Sequence, residues 1–385
     1  MREATSAPGS FTEAATSLLE RAVAERVTPG AVLRVTGEDG ELATVVVGAR
    51  SYDGPAVSAD TRYDLASLTK VMGCLPVLLH LLEAGEVSLD DTVSKFFANA
   101  GWFQEQSLGN VSIEELTLHS SGLPAWTPLF AWVSNRRTAT ANVLQTALSG
   151  VRGEYDYSDL GVMVLGAIIE RVTGERLDAL AKRFVFDPLG MSSTCYGPLE
   201  PGSDVAATED DGWRGGVLQG EVHDENASVM DGVSAHAGLF GTAADVGEYA
   251  RAWLTLDAPF ASRRWLEEAN HDRSRGSGPP RGILWRLHSD NWPIGKSMST
   301  AAYGHTGFTG TSLIVEPEQR WTCVLLTNRV HPRRANADGV MALRREVHAL
   351  VARTFGAGAG GGGAGIGASG SGVRGDGTSG GEARD

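Results

Sequence analysis

The chain has 385 residues, 42% of them hydrophobic and 21% charged, which is enough for a full core and typical of globular proteins. Asp and Glu number 47 against 33 Lys and Arg, a formal net charge of -14, so no basic stripe is available to neutralise nucleic-acid phosphates. No apolar segment approaches the roughly 18 residues that a bilayer span needs.

Met1 to Ser6 shows no basic segment leading into an apolar run. The sequence therefore predicts a cytoplasmic protein, or a periplasmic or extracellular one if a leader precedes this start. Cys74, Cys195 and Cys323 are odd in number and far apart, and fit free thiols better than disulfides or a zinc site.

Residues 11 to 27 read as an amphipathic helix with Leu18, Leu19, Ala22 and Val23 on its apolar side. Two β-rich runs follow, Ala31 to Val35 and Leu42 to Val47, joined through Glu38-Asp39-Gly40 in a hairpin. A helix opens near Ser67 and runs to Leu82, with Pro76 inside it, where a kink or a lost hydrogen bond is expected.

Helix and loop dominate from about 86 to 280; Val162 to Val172 and Ala243 to Leu256 are the clearest helices, and 197 to 236 reads as long loops. Strands return at Ser312 to Val315 and Trp321 to Leu326, with Pro317-Glu318-Gln319 between them. A last helix spans about 338 to 355, and the Gly-rich end from 356 to 385 is expected to be disordered.

This order predicts an α/β (α+β) fold, in which an antiparallel sheet built from both chain termini is flanked by helices. The sheet lobe takes in about 11–66 and 281–355, and a mostly helical lobe, about 67–280, is inserted between them. Residues 1–10 form an N-terminal tail.

Asp64-Leu65-Ala66-Ser67-Leu68-Thr69-Lys70 places a hydroxyl and an amine three residues apart, on one face of a helix. Three more clusters bear on it: Leu118-His119-Ser120-Ser121-Gly122-Leu123-Pro124, Glu154 to Gly161, and Tyr303-Gly304-His305-Thr306-Gly307-Phe308-Thr309-Gly310-Thr311.

In this order the clusters resemble the serine β-lactamase, penicillin-binding protein (D,D-peptidase) and esterase superfamily, in its class C β-lactamase-like branch. The resemblance rests on Ser67 with Lys70, Tyr157 with Asp159, and His305-Thr306-Gly307, and spans about residues 11 to 355. Gly85 to Asp91, Pro188 to Met191, Val222 to Ala227, His236 to Phe240 and Thr327-Asn328-Arg329 are further family-like phrases.

The resemblance implies a serine hydrolase that cleaves an ester or amide through an acyl-Ser67 intermediate, with no metal or cofactor. Ser67 needs a base in contact with it, and both Lys70 and Tyr157 can serve; Lys70 is expected to prime Ser67, with Tyr157 protonating the leaving group and then activating water. Resemblance assigns the oxyanion donors to the N–H groups of Ser67 and Phe308, with Gly307 leaving room for substrate at the strand edge. Asp159, His305, Thr306, Gly307 and Phe308 would bind substrate.

Two positions depart from the common pattern. Asp159 stands where an amide is usual, so a carboxylate would hold Lys70 charged; a helix N-cap is its plain structural role. His305 replaces a lysine and is mostly neutral at pH 7, which favours an esterase or D-amino-acid peptidase over a β-lactamase or D-alanyl-D-alanine carboxypeptidase. A non-catalytic binding module on the same fold is the alternative of another class.

His119 and His236 read as packed structural histidines, His223-Asp224 with Asn226 as a loop brace, and Tyr155 as packing. Trp102, Trp126 and Trp132 read as core or cleft wall. A small molecule or short peptide is the expected partner, with oligomeric state open.

Overall fold

The computed structural model describes residues 8–101, 107–274, 278–289, 292, 295 and 297–356. The start of the N-terminal tail, Trp102 and the Gly-rich stretch from 357 onward lie outside the described residues.

Gly30–Gly37 and Gly40–Gly48 form the expected hairpin, with Gly37 opposite Gly40 and Glu38-Asp39 as its two-residue loop. The first of these strands pairs antiparallel with Trp321–Thr327, Ala31 facing Thr327. That pairing joins the two ends of the chain in one sheet. The six strands run in the order 40–48, 30–37, 321–327, 312–316, 303–306, 286–287, with every neighbouring pair antiparallel.

Both faces of this sheet are covered, which explains why its strands read as nearly continuous apolar runs. Successive side chains point to opposite faces. Leu33, Val35, Ile314 and Leu325 pack beneath the helices Pro8–Ala24 and Ala337–Phe355, together with Phe11, Leu19 and Val347. Val32, Leu313, Val324 and Leu326 face the other way, onto Val246, Tyr249 and Trp253 of the helix Ala243–Thr255.

The same core continues among the inserted helices, where Leu75, Val77, Leu78 and Leu79 are fully buried. The helix after Ser67 is irregular where Pro76 was expected to disturb it. A π-helical turn occupies Lys70–Cys74, with the Leu75 N–H bonded to Lys70 O, and runs on without a break into the α-helical segment Leu75–Glu83. A proline inside a helix cannot donate to the turn before it, and that turn is the widened one.

The 197–236 stretch is mostly loop, interrupted by the short ladder of Asp210–Asp211 with Gly216–Val217 and by one helical turn, Glu225–Ser228. A small second sheet escaped the sequence reading. In it Leu239–Gly241 pairs with Tyr63–Asp64 on one side and Cys195–Tyr196 on the other. Two- and three-residue strands carry too little periodicity to be read from sequence.

Candidate active site

Tyr63–Asp64 leads directly into the Ser67 turn. The buried Asp64 carboxylate accepts the Ala66 N–H at 2.8 Å and the His223 N–H at 2.7 Å. Ala66 is held at φ +47°, a left-handed conformation unusual for a residue with a side chain. Strain of this kind survives only where its surroundings over-determine it. Two hydroxyls supply further restraint: Thr309 Oγ1 donates to Asp64 O at 2.7 Å and Thr311 Oγ1 to Leu65 O at 3.1 Å. The Ser67 loop and the turn after Gly307 are therefore pinned to each other.

Lys70 lies one helical turn beyond Ser67 and is wholly buried. Its Nζ donates to Ser67 Oγ at 2.8 Å and to the carbonyl of His236 at 3.2 Å. Asp159 Oδ1 stands 2.6 Å away and pairs with it as a counter-ion. The Tyr157 ring is 5.1 Å from the ammonium. Burial by itself pulls the Lys70 pKa down, but the Asp159 carboxylate and the Tyr157 phenol outweigh it, and the net direction is upward. Lys70 is an ammonium in the resting site.

Asp159 can do this because it is not the helix cap. Ser158 caps Asp159–Thr173 by accepting the Gly161 N–H at 3.1 Å. The expected N-cap role of Asp159 is thereby corrected: it is the first helical residue, its side chain free to reach Lys70. Ser158 also donates its N–H to His119 Nδ1 at 3.1 Å. The Ser158 carbonyl lies 3.2 Å from the same nitrogen, so one residue brackets His119 Nδ1 with a donor and an acceptor. The His119 ring lies 4.5 Å from that of Tyr157.

His305 and Thr306 sit on the strand Tyr303–Thr306, opposite Leu313 and Ser312. The Nδ1 of His305 contacts Thr306 O at 2.9 Å, so it carries a proton and donates. Burial, followed by the charges of Lys70 and Arg281, holds the His305 pKa well below its usual value, and the ring is neutral. Gly307 follows, and only glycine fits there. A Cβ would fall 2.1 Å from Thr311 Oγ1 and 2.6 Å from Leu65 O.

Two cavities meet at this edge. One, about 420 Å³, is lined by Ser67, Trp126, Tyr157, Asp159, Asp224 and Phe308 among others. The other, about 250 Å³, is lined by Tyr157, Arg281, Arg286, Trp292, His305, Thr306 and Met341. Arg281 is buried, and its Nη2 donates to Tyr155 Oη at 2.8 Å. Its Nε and Nη1 have no partner among the described residues.

A half-buried hydroxyl bonded to an ammonium, with a phenol and a glycine-bearing strand edge around it, is the equipment of acyl transfer. The β-lactamase family model matches residues 15–346. The chain belongs to the β-lactamase family. It is a serine hydrolase of that family.

The chain is 32% identical to an N-acetylmuramyl-L-alanine amidase of Bacillus subtilis (strain 168), over 82% of this chain and 80% of the relative. It is 31% identical to a putative D-alanyl-D-alanine carboxypeptidase of Escherichia coli (strain K12), over 74% of each. Among solved structures it resembles EstCE1, a hydrolase with promiscuous acyltransferase activity, with a TM-score of 0.71 and 19% identity, covering 89% of this chain and 99% of that one.

In this β-lactamase-family chain, Lys70 contacts both Ser67 and Asp159, and the Tyr157 ring lies 5.1 Å from the Lys70 ammonium and 6.2 Å from the His305 ring. Thr306 lines the smaller cavity and Phe308 the larger. His223, Asp224 and Asn226 brace loops. His223 Nε2 meets Glu209 at 2.9 Å, Asp224 Oδ1 meets His236 Nε2 at 2.9 Å, and Asn226 spans Thr127 and Phe130. Tyr155 packs against Arg281.

Trp126 forms cavity wall, but Trp132 is 57% exposed and belongs to neither core nor cleft. Sequence reasoning missed Arg281 and Arg286, which lie in Pro279-Pro280-Arg281-Gly282 and beyond, a stretch with no motif to point at them. Among the described residues, no helix is long and apolar enough to cross a membrane.

Proposed function

We propose that this hydrolase cleaves an amide or ester bond through an acyl-Ser67 intermediate, on a substrate that carries a carboxylate near the scissile bond. A peptide ending in D-alanyl-D-alanine has that chemistry. The observation behind the carboxylate is the pair of guanidinium groups, Arg281 and Arg286, that line the smaller cavity with Tyr157, His305 and Thr306. Such a group gains most from a charged acceptor in a bidentate pose. A neutral His305 was expected to disfavour anionic substrates; Arg281 and Arg286 supply the missing cation from another part of the chain. The names of the two relatives, an N-acetylmuramyl-L-alanine amidase and a putative D-alanyl-D-alanine carboxypeptidase, agree with cleavage of an amide; the second also specifies a terminal carboxylate.

In the proposed cycle Ser67 Oγ attacks the carbonyl while Lys70, as an ammonium, donates to that oxygen and does not take its proton. Tyr157, entering the cycle as the phenolate, takes the Ser67 proton and, now the phenol, gives it to the departing amine or alcohol. The phenolate so regenerated takes a proton from the water that attacks the acyl group and passes it back to Ser67 as the ester bond breaks. The N–H groups of Ser67 and Phe308 bind the oxyanion of each tetrahedral intermediate.

A second reading, esterase or acyltransferase, is favoured by the larger cavity. Ala66, Ala125, Trp126, Ala237 and Phe308 give it an apolar wall suited to an acyl chain. Release of D-alanine from a D-alanyl-D-alanine peptide and of p-nitrophenol from short esters separates the two. Ser67→Ala is expected to abolish both, and a fluorophosphonate is expected to add one mass increment, on Ser67. Undiminished turnover by the alanine variant would sink the proposal.

A further inference from the structure

Arg344 projects from the helix Ala337–Phe355 into the protein and is only 4% exposed. Its Nη2 donates to Gly307 O at 2.8 Å and to Thr311 O at 2.6 Å. Nη1 reaches Met341 Sδ at 3.3 Å. Among the described residues no carboxylate pairs with it; burial and the neighbouring Arg329 charge bring its pKa down to about 9, still protonated at neutral pH. A buried cation without a counter-ion is costly, and peptide carbonyls are what compensate this one.

The peptide it grips is the important one. Gly307 O and the N–H of Phe308 belong to the same planar unit, so a donor fixed on the oxygen fixes the direction of the hydrogen. The next carbonyl, Phe308 O, is held at 2.8 Å by Arg329 Nε. Gly310 N–H closes the turn onto Gly307 O at 3.1 Å. A guanidinium on the carbonyl also polarises the amide and strengthens its N–H as a donor. Ser67, Gly307, Phe308, Arg329 and Arg344 line a common cavity of about 260 Å³, so the charge stands close to where an oxyanion would develop.

We infer that Arg344 is a positioning residue for the oxyanion site, orienting and polarising the Gly307–Phe308 peptide from behind. This rests on the reading that acyl transfer occurs at Ser67 with Phe308 N–H as an oxyanion donor. The role is electrostatic as well as steric, so charge matters beyond shape.

The test compares Arg344→Met, Arg344→Gln and Arg344→Lys in the full chain, by the second-order rate of fluorophosphonate labelling at Ser67 and by phenylboronic acid affinity. The boronate forms a tetrahedral anion on the serine, whereas substrate KM reports the ground state. Losing one oxyanion donor costs about 100- to 1000-fold in rate. Weakening one from behind is expected to cost on the order of tenfold to a hundredfold in both labelling and boronate affinity, on the same scale. KM should move less than threefold or so by comparison, and Arg344→Lys should recover most of the loss.

If Arg344→Met is not recovered folded, the Gln and Lys variants carry the comparison. Labelling and boronate affinity at wild-type level in the neutral variants would overturn the inference, as would a lysine variant no better than glutamine. Wild-type protein that takes no label on Ser67 would instead sink the acyl-Ser67 reading, a different result.

Discussion

The ammonium of Lys70 lies closer to Asp159, at 2.6 Å, than to the Ser67 hydroxyl it hydrogen-bonds, at 2.8 Å. A carboxylate in that position decides which partner can act as base. A protonated lysine donates to Ser67 and cannot accept from it, so the expectation that Lys70 primes Ser67 gives way, in the proposed cycle, to Tyr157 as base.

Asp159→Asn tests that division of labour. Removing the carboxylate deletes the largest influence that raises the Lys70 pKa and leaves burial, which lowers it, opposed by Tyr157 alone. With the ammonium required, the alkaline limb of the kcat/KM profile should move to lower pH, and activity near pH 7 should fall by about tenfold. A gain in activity, with the acid limb moving down instead, would identify neutral lysine as the base.

Arg281→Gln should separate substrates by charge. A hydrogen bond to a charged group contributes about 1.5–3 kcal/mol, so kcat/KM for a peptide with a free C-terminal carboxylate should drop roughly 10- to 100-fold. The matching C-terminal amide and neutral p-nitrophenyl esters should change little. Equal losses for charged and neutral substrates would show that Arg281 has only a packing role.

Acid should weaken the fold before carboxylates titrate. His119 and His305 are both held neutral, by burial first and then by the Lys70 and Arg281 charges, so their folded pKa values lie below the unfolded value. Below about pH 6.5 the unfolded chain binds protons that the native state refuses, and stability falls with pH by up to about 1.4 kcal/mol per unit for each histidine. Asp224, whose pKa is lowered, loses its contribution only further into acid. Urea titrations between pH 7 and 5 should show a shallower dependence in His305→Gln than in wild type.

Gly307→Ala should be destabilising because its Cβ meets backbone, which cannot swing away. Overpacking of this sort costs about 1–3 kcal/mol. The Leu65 carbonyl it would strike belongs to the Ser67 turn, so fluorophosphonate labelling should slow as well. Wild-type stability and labelling together would show that the turn has slack the geometry does not reveal.

Much of this protein is legible from local rules. Apolar periodicity marks the helices Pro8–Ala24, Asp159–Thr173 and Ala243–Thr255 to within a few residues, and Asp39-Gly40 marks the hairpin. Three ordered motifs name Ser67, Lys70, Tyr157 and the strand edge, because short-range spacing brings a hydroxyl and an amine onto one helical face. Tertiary structure alone decided the charges. Ser158 took the cap and freed Asp159 for Lys70, Arg281 and Arg286 arrived in the cavity beside His305, and Arg344 came up behind the Gly307 carbonyl. Protonation and field depend on burial and on neighbours tens to hundreds of residues away in the chain, and no local pattern encodes those distances.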